Sequence, residues 1–452
     1  MCIKKNCYNM DRKKLSLLLC FMVLSISGCT ASSKTEFPEV SQLPLEQQTT
    51  LPSAQHPKEL LPPEAVEGKE KEEPVTASIV VTGDVLMHLP VIRSGFDGTS
   101  YQFDSIFTYV DEYIQGADFA VANLETTLAG TDNGYPYSGY PRFNCPDEIL
   151  DAAQNAGFDM LLTANNHCND TGSLGMQRTL QEIQERGLYS LGTVNAADEA
   201  DFQVVDLNGI HVGMICYTYG QWSDENPSVN GLPIAQDMAQ QINVFDYGQL
   251  DRFYTEMETA ISNMHTEGAD AVVLYIHWGE EYRLTPTRYQ TEIAQKMCDL
   301  GVDVIVGGHP HVLQPVELLT STEDPAHRTV CVYSTGNAIS NQRIARMDLK
   351  TGHTEDGMLF SFTFEKDANG TVFLKNAEVL PTWVYIRAEA SSKTYHILPL
   401  DGESALWESR FELAEGEISD LQASYERTIE LVGSGMQTVQ SYLDTRNKQT
   451  ES

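Results

Sequence analysis

Between residues 77 and 337 short apolar runs recur, each long enough only for a β-strand. Each breaks off on glycine or on polar residues: "ASIVVTGD", "ADFAVANLE", "FDMLLTANNH", "ADAVVLYIHWG", "VDVIVGGHPH" and "TVCVYSTGN". An apolar run without alternation is buried on both faces, as in a strand inside a layered α/β domain. Amphipathic segments separate the runs, among them "PDEILDAAQNAG", "LGMQRTLQEIQERG", "DRFYTEMETAISNMHTEG" and "RYQTEIAQKMCDLG". They end in glycine, the usual C-terminal stop of a helix. "FQVVDLNGIHVGMICYTYG" reads as a hairpin turned at Asn208-Gly209. Further strands are expected over 357–387 and one or two helices over 402–446. The alternation predicts an α/β domain with a mixed sheet or a pair of sheets.

The first residues have a different character. Lys4, Lys5, Arg12, Lys13 and Lys14 surround the start of an apolar stretch, "LSLLLCFMVLSIS", which runs into Gly28 and Cys29. That order of basic, apolar and small residues resembles a bacterial lipoprotein signal. Cys29 is then the expected lipidation site, with the protein held by its lipid anchor on the extracellular face of the cytoplasmic membrane. Residues 30–76 are rich in Ser, Thr, Pro, Glu, Gln and Lys and hold too little apolar surface for a core, which predicts a disordered tether. The expected organisation is a signal peptide (1–28), a tether (29–76), a folded domain (77–390) and a C-terminal helical extension (391–452). A formal net charge of -35 repels nucleic acid and anionic membrane alike. Any anionic substrate must be drawn in by a local positive feature. Beyond the signal region, Cys145, Cys168, Cys216, Cys298 and Cys331 show no CxxC spacing. Buried free thiols are expected, with a single disulfide as the alternative and zinc–thiolate binding disfavoured.

The residues able to hold a metal collect just after the apolar runs: Asp84, Asn123 and Glu125, Asn166 and His167, His277, His309 and His311. In α/β sheets the active-site crevice lies outside the carboxyl ends of the strands, so these side chains can converge. Nitrogen and oxygen donors without thiolates suit Mn, Fe or Zn. Six or seven candidates exceed the needs of one tetrahedral zinc and match two divalent ions that share a carboxylate, the arrangement of two-metal hydrolysis. Within the same stretch Asn165 is expected to hydrogen-bond the turn and Asp170 to cap the next helix. Arg142, in "YPRFN", is a candidate to bind a carboxylate or phosphate, or else makes a surface salt bridge. Asn337 is a candidate to line the same crevice. Tyr135, Tyr137 and Tyr140 either wall a groove or pack a loop, and Glu280 and Glu281 either support His277 or face solvent.

"TGDVLMH", "ANLETTLAG", "YPYSGYPRFNCPD", "GFDMLLTANNHCNDTG", "IHWGEEY", "GVDVIVGGHPHVLQPVE" and "YSTGNAIS" resemble, in order over roughly residues 77–385, the CapA family of capsule-synthesis proteins. That family is associated with poly-γ-glutamate and is itself similar to the calcineurin-like metallophosphoesterases. The resemblance implies a four-layer α/β/β/α sandwich. It implies Asp84 and His311 at a first metal, Glu125 as the bridging carboxylate, and Asn166, His277 and His309 at a second metal. A metal-activated water would attack a phosphoester or related bond, with His167 as general acid. Two positions depart from the superfamily pattern. Asp84 is followed by Val85 and Leu86, with His88 further on, where the pattern has Asp-x-His, which makes His88 a candidate ligand or support. The usual bridging aspartate is replaced by Asn-Leu-Glu, which brings in Glu125 and Asn123. The implied substrates are an anionic surface polymer such as poly-γ-glutamate, or a phosphoester, and the implied partners are membrane capsule-synthesis subunits. The alternative is a non-catalytic polymer-binding or scaffold subunit of such a complex.

Overall fold

A computed structural model describes residues 73–450, apart from 133, 198, 224, 389–391 and 415. The expected signal peptide, Cys29 and nearly all of the expected tether lie outside these residues. From β1 (Val75–Val85) the chain passes through α1 (Leu89–Ser94) and α2 (Asp111–Gln115) to β2 (Phe119–Leu124). Next come α3 (Glu148–Ala156), β3 (Met160–Leu162), α4 (Gly172–Glu185) and β4 (Tyr189–Leu191). A second series holds β5 (Phe202–Leu207), β6 (Ile210–Tyr219), β7 (Ser228–Val229), β8 (Leu232–Pro233) and β9 (Val244–Phe245). Two strand–helix alternations follow, with α5 (Leu250–Thr266), β10 (Ala271–His277), α6 (Arg288–Asp299) and β11 (Val304–Gly308). The chain continues through β12 (Val316–Thr320), β13 (Arg328–Val332), β14 (Asn337–Ile339), β15 (Asp356–Lys366), β16 (Val372–Ala388) and β17 (Lys393–Pro399). It ends with α7 (Trp407–Arg410) and the long α8 (Glu417–Thr450).

Two mixed sheets result. One has the order β17-β16-β15-β1-β2-β3-β4, with β14 also on β1; the other has the order β12-β13-β11-β10-β6-β5, with β9 on β6. β1 to β4 run parallel, as do β6, β10, β11 and β13. Side chains alternate across a strand, and the alternation separates the layers. Ile79 and Val81 point into a core shared with Val273, Tyr275, Val306 and Val332 of the other sheet. Val80 points the opposite way, toward Ile92, Ile114, Ile149 and Leu150 on α1–α3. Val272, Leu274 and Ile276 likewise meet Phe253, Met257 and Ile261 of α5 and Ile293 and Met297 of α6. Both faces of the central strands are therefore apolar, which is why they read as continuous runs. Each such side chain contributes roughly 1.5–3 kcal/mol by leaving water. Helices, sheet, sheet and helices form four layers.

Local signals match the elements they predict. Asn208 (φ 57°) and Gly209 (φ 85°) make the tight turn between β5 and β6, and Gly157 (φ 101°) ends α3 in the left-handed region. All five cysteines beyond the signal region are buried and free.

The expected division at residue 390 falls inside the β16–β17 hairpin, so the sheet runs on to Pro399. α8 also belongs to the core, because Val432, Val439 and Leu443 enter the layer between the sheets. It comes so close that a Cβ at Gly435 would lie 1.8 Å from the carbonyl oxygen of Val316. Buried Asp356 ties the helix down, accepting from Ser424 Oγ at 2.6 Å and from Arg427 Nε and Nη2 at 2.7 Å each.

Candidate metal centre

The parallel halves of the two sheets bring their carboxyl ends to one place. Asp84 lies near the end of β1, Asn123 near the end of β2 with Glu125 just beyond, and Asn165–His167 follow β3. His277 ends β10, and His309 and His311 follow β11. Gly83 lets the strands close up, since a Cβ there would sit 2.0 Å from the carbonyl oxygen of Gly336. His309 (φ 95°) and His311 (φ 54°) both adopt left-handed backbone. That conformation costs a non-glycine residue about 1–3 kcal/mol and recurs where function over-determines the backbone.

The side chains form two groups around one carboxylate. Ligand-type atoms of Glu125, His277 and His309 lie within 4.8 Å of one another, and so do those of Asp84, Glu125 and His311. Glu125 Oε1 is 3.6 Å from His277 Nε2 and 3.7 Å from His311 Nε2. The amide oxygen of Asn166 lies 2.8 Å from His277 Nε2. All are buried. A buried charge normally has hydrogen-bond partners. Neither oxygen of Glu125 has one among the described residues, nor does His309 Nδ1. A buried carboxylate with two unpartnered oxygens, flanked by imidazoles on both sides, is a donor set that suits cations. These buried His, Glu and Asp side chains are compatible with metal binding.

The electrostatics follow from the same packing. Burial, the largest influence on Asp84, pushes its pKa up, but the His311 hydrogen bond and the charges of His277 and His311 outweigh it, leaving a net lowering. Burial also acts on His311, pushing it down, yet Glu125 and Asp84 raise it to about 9. His309 is pushed well below its ordinary value by burial and by His277, His311 and His167, which keeps it neutral and able to ligate.

Asn123 stands beside the groups and orients them. Its Nδ2 donates to Asp84 Oδ1 at 2.7 Å, and its Oδ1 accepts from Asn165 Nδ2 at 3.1 Å. Asn165 also accepts the backbone N–H of His167 at 3.1 Å, a bond within the turn.

Asp170 departs from its expected role. The N-cap of α4 is Thr171, and no side chain caps the helix. Asp170 Oδ2 instead lies 2.7 Å from His167 Nδ1 and accepts Phe143 N–H at 2.6 Å, while the Phe143 ring stands edge-on to His167 at 4.6 Å. The carboxylate holds Nδ1–H, leaving Nε2 as the exchangeable nitrogen of His167.

Other expected residues lie around this core. His88 joins neither group, because its Nδ1 accepts the backbone N–H of Asn341 at 3.2 Å. Burial, with His311, lowers it to about 4. Asn337 was a candidate to line the crevice, but it is wholly buried and its amide is committed elsewhere. Its Oδ1 faces His311 Nδ1 at 3.1 Å, and its Nδ2 donates to His311 O, Gln342 Oε1 and Thr354 O. It therefore supports His311. Arg142 is exposed, next to Phe143 in sequence, and has no ion-pair partner among the described residues. Glu280 is exposed and pairs with Arg283 at 3.1 Å.

Two tyrosines escaped the sequence reading. The Tyr219 ring lies 4.7 Å from His309. Tyr282 (φ 63°) lies 6.2 Å from His311, and its hydroxyl accepts from Gln342 Nε2 at 3.2 Å. Burial raises both phenols, which keeps them protonated donors. Tyr219 ends an apolar strand as the histidines do, so the same strand-end rule signals it.

The family model for the bacterial capsule synthesis protein PGA_cap matches residues 78–342, a span that holds every residue of the two groups. The chain belongs to this family. It is 27% identical over 316 residues to the capsule biosynthesis protein CapA of Bacillus anthracis, covering 69% of each chain. It is 28% identical over 269 residues to the PGA biosynthesis protein CapA of Bacillus subtilis (strain 168), covering 59% of this chain and 63% of that one. Among solved structures, the NAD nucleotidase NadN of Haemophilus influenzae aligns at a TM-score of 0.41 and 10% identity, covering 79% of this chain and 61% of that one.

Proposed function

We propose that this capsule-family protein is a two-metal, phosphoesterase-like hydrolase acting in the production, export or release of capsule polymer. The observation that carries this reading is Glu125, a buried carboxylate with no hydrogen-bond partner among the described residues, common to both ligand groups. Asp84 and His311 would hold one ion with it, and His277, His309 and the Asn166 amide the other. Ions bound there would polarise a phosphoryl or carbonyl oxygen and acidify a water. The chain's own residues do the rest. Asn123 and Asn337 fix Asp84 and His311, and the Tyr219 ring packs against His309. Asp170 fixes the tautomer of His167, whose Nε2 delivers a proton to the leaving group. A scaffold has no need of such an oriented imidazole.

The substrate in this reading is an anionic surface polymer such as poly-γ-glutamate, or a phosphoester, met by the exposed guanidinium of Arg142. Among the described residues no helix is long and apolar enough to cross a membrane. We place the protein on the outer face of the cytoplasmic membrane through lipidated Cys29, beside membrane-bound synthesis subunits.

The test uses the purified full chain with measured metal content. It compares hydrolysis of a phosphodiester and of poly-γ-glutamate by wild type, Glu125→Gln and His167→Ala. Two ions in the wild type and activity lost in both variants are expected. A metal-free, inactive wild type that still binds the polymer would replace this reading with the scaffold.

A further inference from the structure

We propose that His88 is a substrate-binding residue, donating its Nε2–H to an oxyanion of the substrate, and not a metal ligand. The inference rests on the hydrolase reading and adds a recognition group to it. The tautomer carries the argument. Nδ1 accepts the backbone N–H of Asn341, so it must present its lone pair there, and the proton of the neutral ring sits on Nε2. One nitrogen is thus engaged by the backbone and the other bears hydrogen. Neither is a free donor atom for an ion, and His88 belongs to neither ligand group. The anchor is itself fixed, since Asn341 Oδ1 accepts from Tyr395 Oη at 2.7 Å.

Position makes Nε2 useful. The ring stands edge-on to Phe143 at 5.3 Å, and the same Phe143 stands edge-on to His167 at 4.6 Å. His88 therefore packs on the same Phe143 ring as His167, which puts it at the rim of the centre. It is partly exposed, and Nε2 has no hydrogen-bond partner among the described residues. Next along the loop from Phe143 is Arg142, exposed and without an ion-pair partner among the described residues. A fixed neutral N–H, with an exposed arginine one residue from the ring it packs on, fits a phosphoryl or carboxylate group. In a chain of net charge -35 such donors stand against the general repulsion of anions.

The experiment measures metal content and anion binding on the full chain for wild type, His88→Ala and His88→Gln. Inorganic phosphate and free glutamate are the two probes, followed by calorimetry. The expected result is wild-type metal content in both variants and an affinity for one probe about tenfold weaker in His88→Ala, the effect of one lost hydrogen bond to a charged group. Glutamine, which can still present an N–H, recovers most of the loss and serves if the alanine variant does not fold. The probe that weakens identifies the anion as phosphoryl or carboxylate. Loss of an ion from either variant would make His88 a ligand and overturn the proposal. So would unchanged affinity for both probes, or a wild type that binds neither. A wild type without metal defeats the hydrolase reading instead, and the comparison of anion affinities still decides the role of His88.

Discussion

Adjacent glycines at the end of β11 have different tasks, and alanine at each separates the fold from the site. A Cβ at Gly307 would lie 2.1 Å from the carbonyl oxygen of Tyr333 and 2.4 Å from Trp278 Nε1. Carbon contacts need about 3.5 Å, so both neighbours must retreat by more than 1 Å. The Trp278 Nε1–H bond to Tyr333 O, 2.9 Å long and buried, is lost in the process. Overpacking costs about 1–3 kcal/mol and the orphaned indole about 1–3 kcal/mol more. Alanine stiffens the unfolded chain and returns about 0.5 kcal/mol. Gly307→Ala is therefore expected to destabilise the protein by about 2–5 kcal/mol. With an unfolding entropy of about 2.1 cal/mol/K per residue, the melting temperature falls by about 3–6 °C. At Gly308 the new Cβ would instead lie 2.9 Å from Asp84 Oδ1 and 3.4 Å from His277 Nδ1. A carboxylate can turn aside where backbone cannot, so Gly308→Ala is expected to cost the fold only the disturbed Asp84 hydrogen bonds, about 1–3 kcal/mol and less than Gly307→Ala. Turning Asp84 aside misplaces a proposed ligand held by Asn123, and metal affinity falls about 10–100-fold. Guanidinium denaturation and calorimetric metal titration of the chelated protein read the two effects. Equal destabilisation by both substitutions with unchanged metal affinity would refute the steric reasoning.

Asp170→Asn preserves shape but removes the charge that fixes Nδ1–H of His167 and lets an amide N–H face the ring instead, so kcat is expected to fall about 10²–10⁴-fold with metal content unchanged; a loss under tenfold would remove His167 as the oriented acid. Arg427→Ala leaves Asp356 buried with Ser424 alone. Because Arg427 is 22% exposed, the expected loss is at the lower end for a broken buried pair, about 3 kcal/mol by denaturant titration. Burial already raises the folded pKa of Asp356, against the opposing pull of Arg427, and removing the arginine raises it further. The folded variant then binds a proton more readily than the unfolded chain, so its deficit against wild type shrinks as pH falls toward the carboxylate range. A pH-independent deficit would show that Asp356 is not what Arg427 neutralises. His309→Ala is expected to lower bound metal from two ions to one by elemental analysis, and retention of both would remove it from the ligand set.

The sequence by itself determined whatever depends on near neighbours along the chain. The continuous apolar runs become strands buried on both faces, the amphipathic stretches become the covering helices, and Asn208-Gly209 becomes the hairpin turn. It also determined that ligand-type residues gather at strand ends, since parallel strands must present their carboxyl ends together. Asn165 kept its expected role because its bond to His167 spans two residues. What only the tertiary structure decided are distances between residues far apart in the chain. Glu125 proves common to both groups because β2 and β10 lie in sheets that face each other. Asn123, two residues earlier, turns to Asp84 instead. Asp170 was read as a helix cap because capping is the usual local use of such a residue; Phe143, brought over by a distant loop, helps hold it against His167. His88 is turned from the ligands by the backbone of Asn341, some 250 residues away. α8, which on its own periodicity could have been a detached tail, is core because Asp356 receives it and its own Gly435, without a side chain, lets it close on Val316. Local periodicity is printed in neighbouring residues, whereas which oxygen meets which nitrogen depends on how two sheets pack.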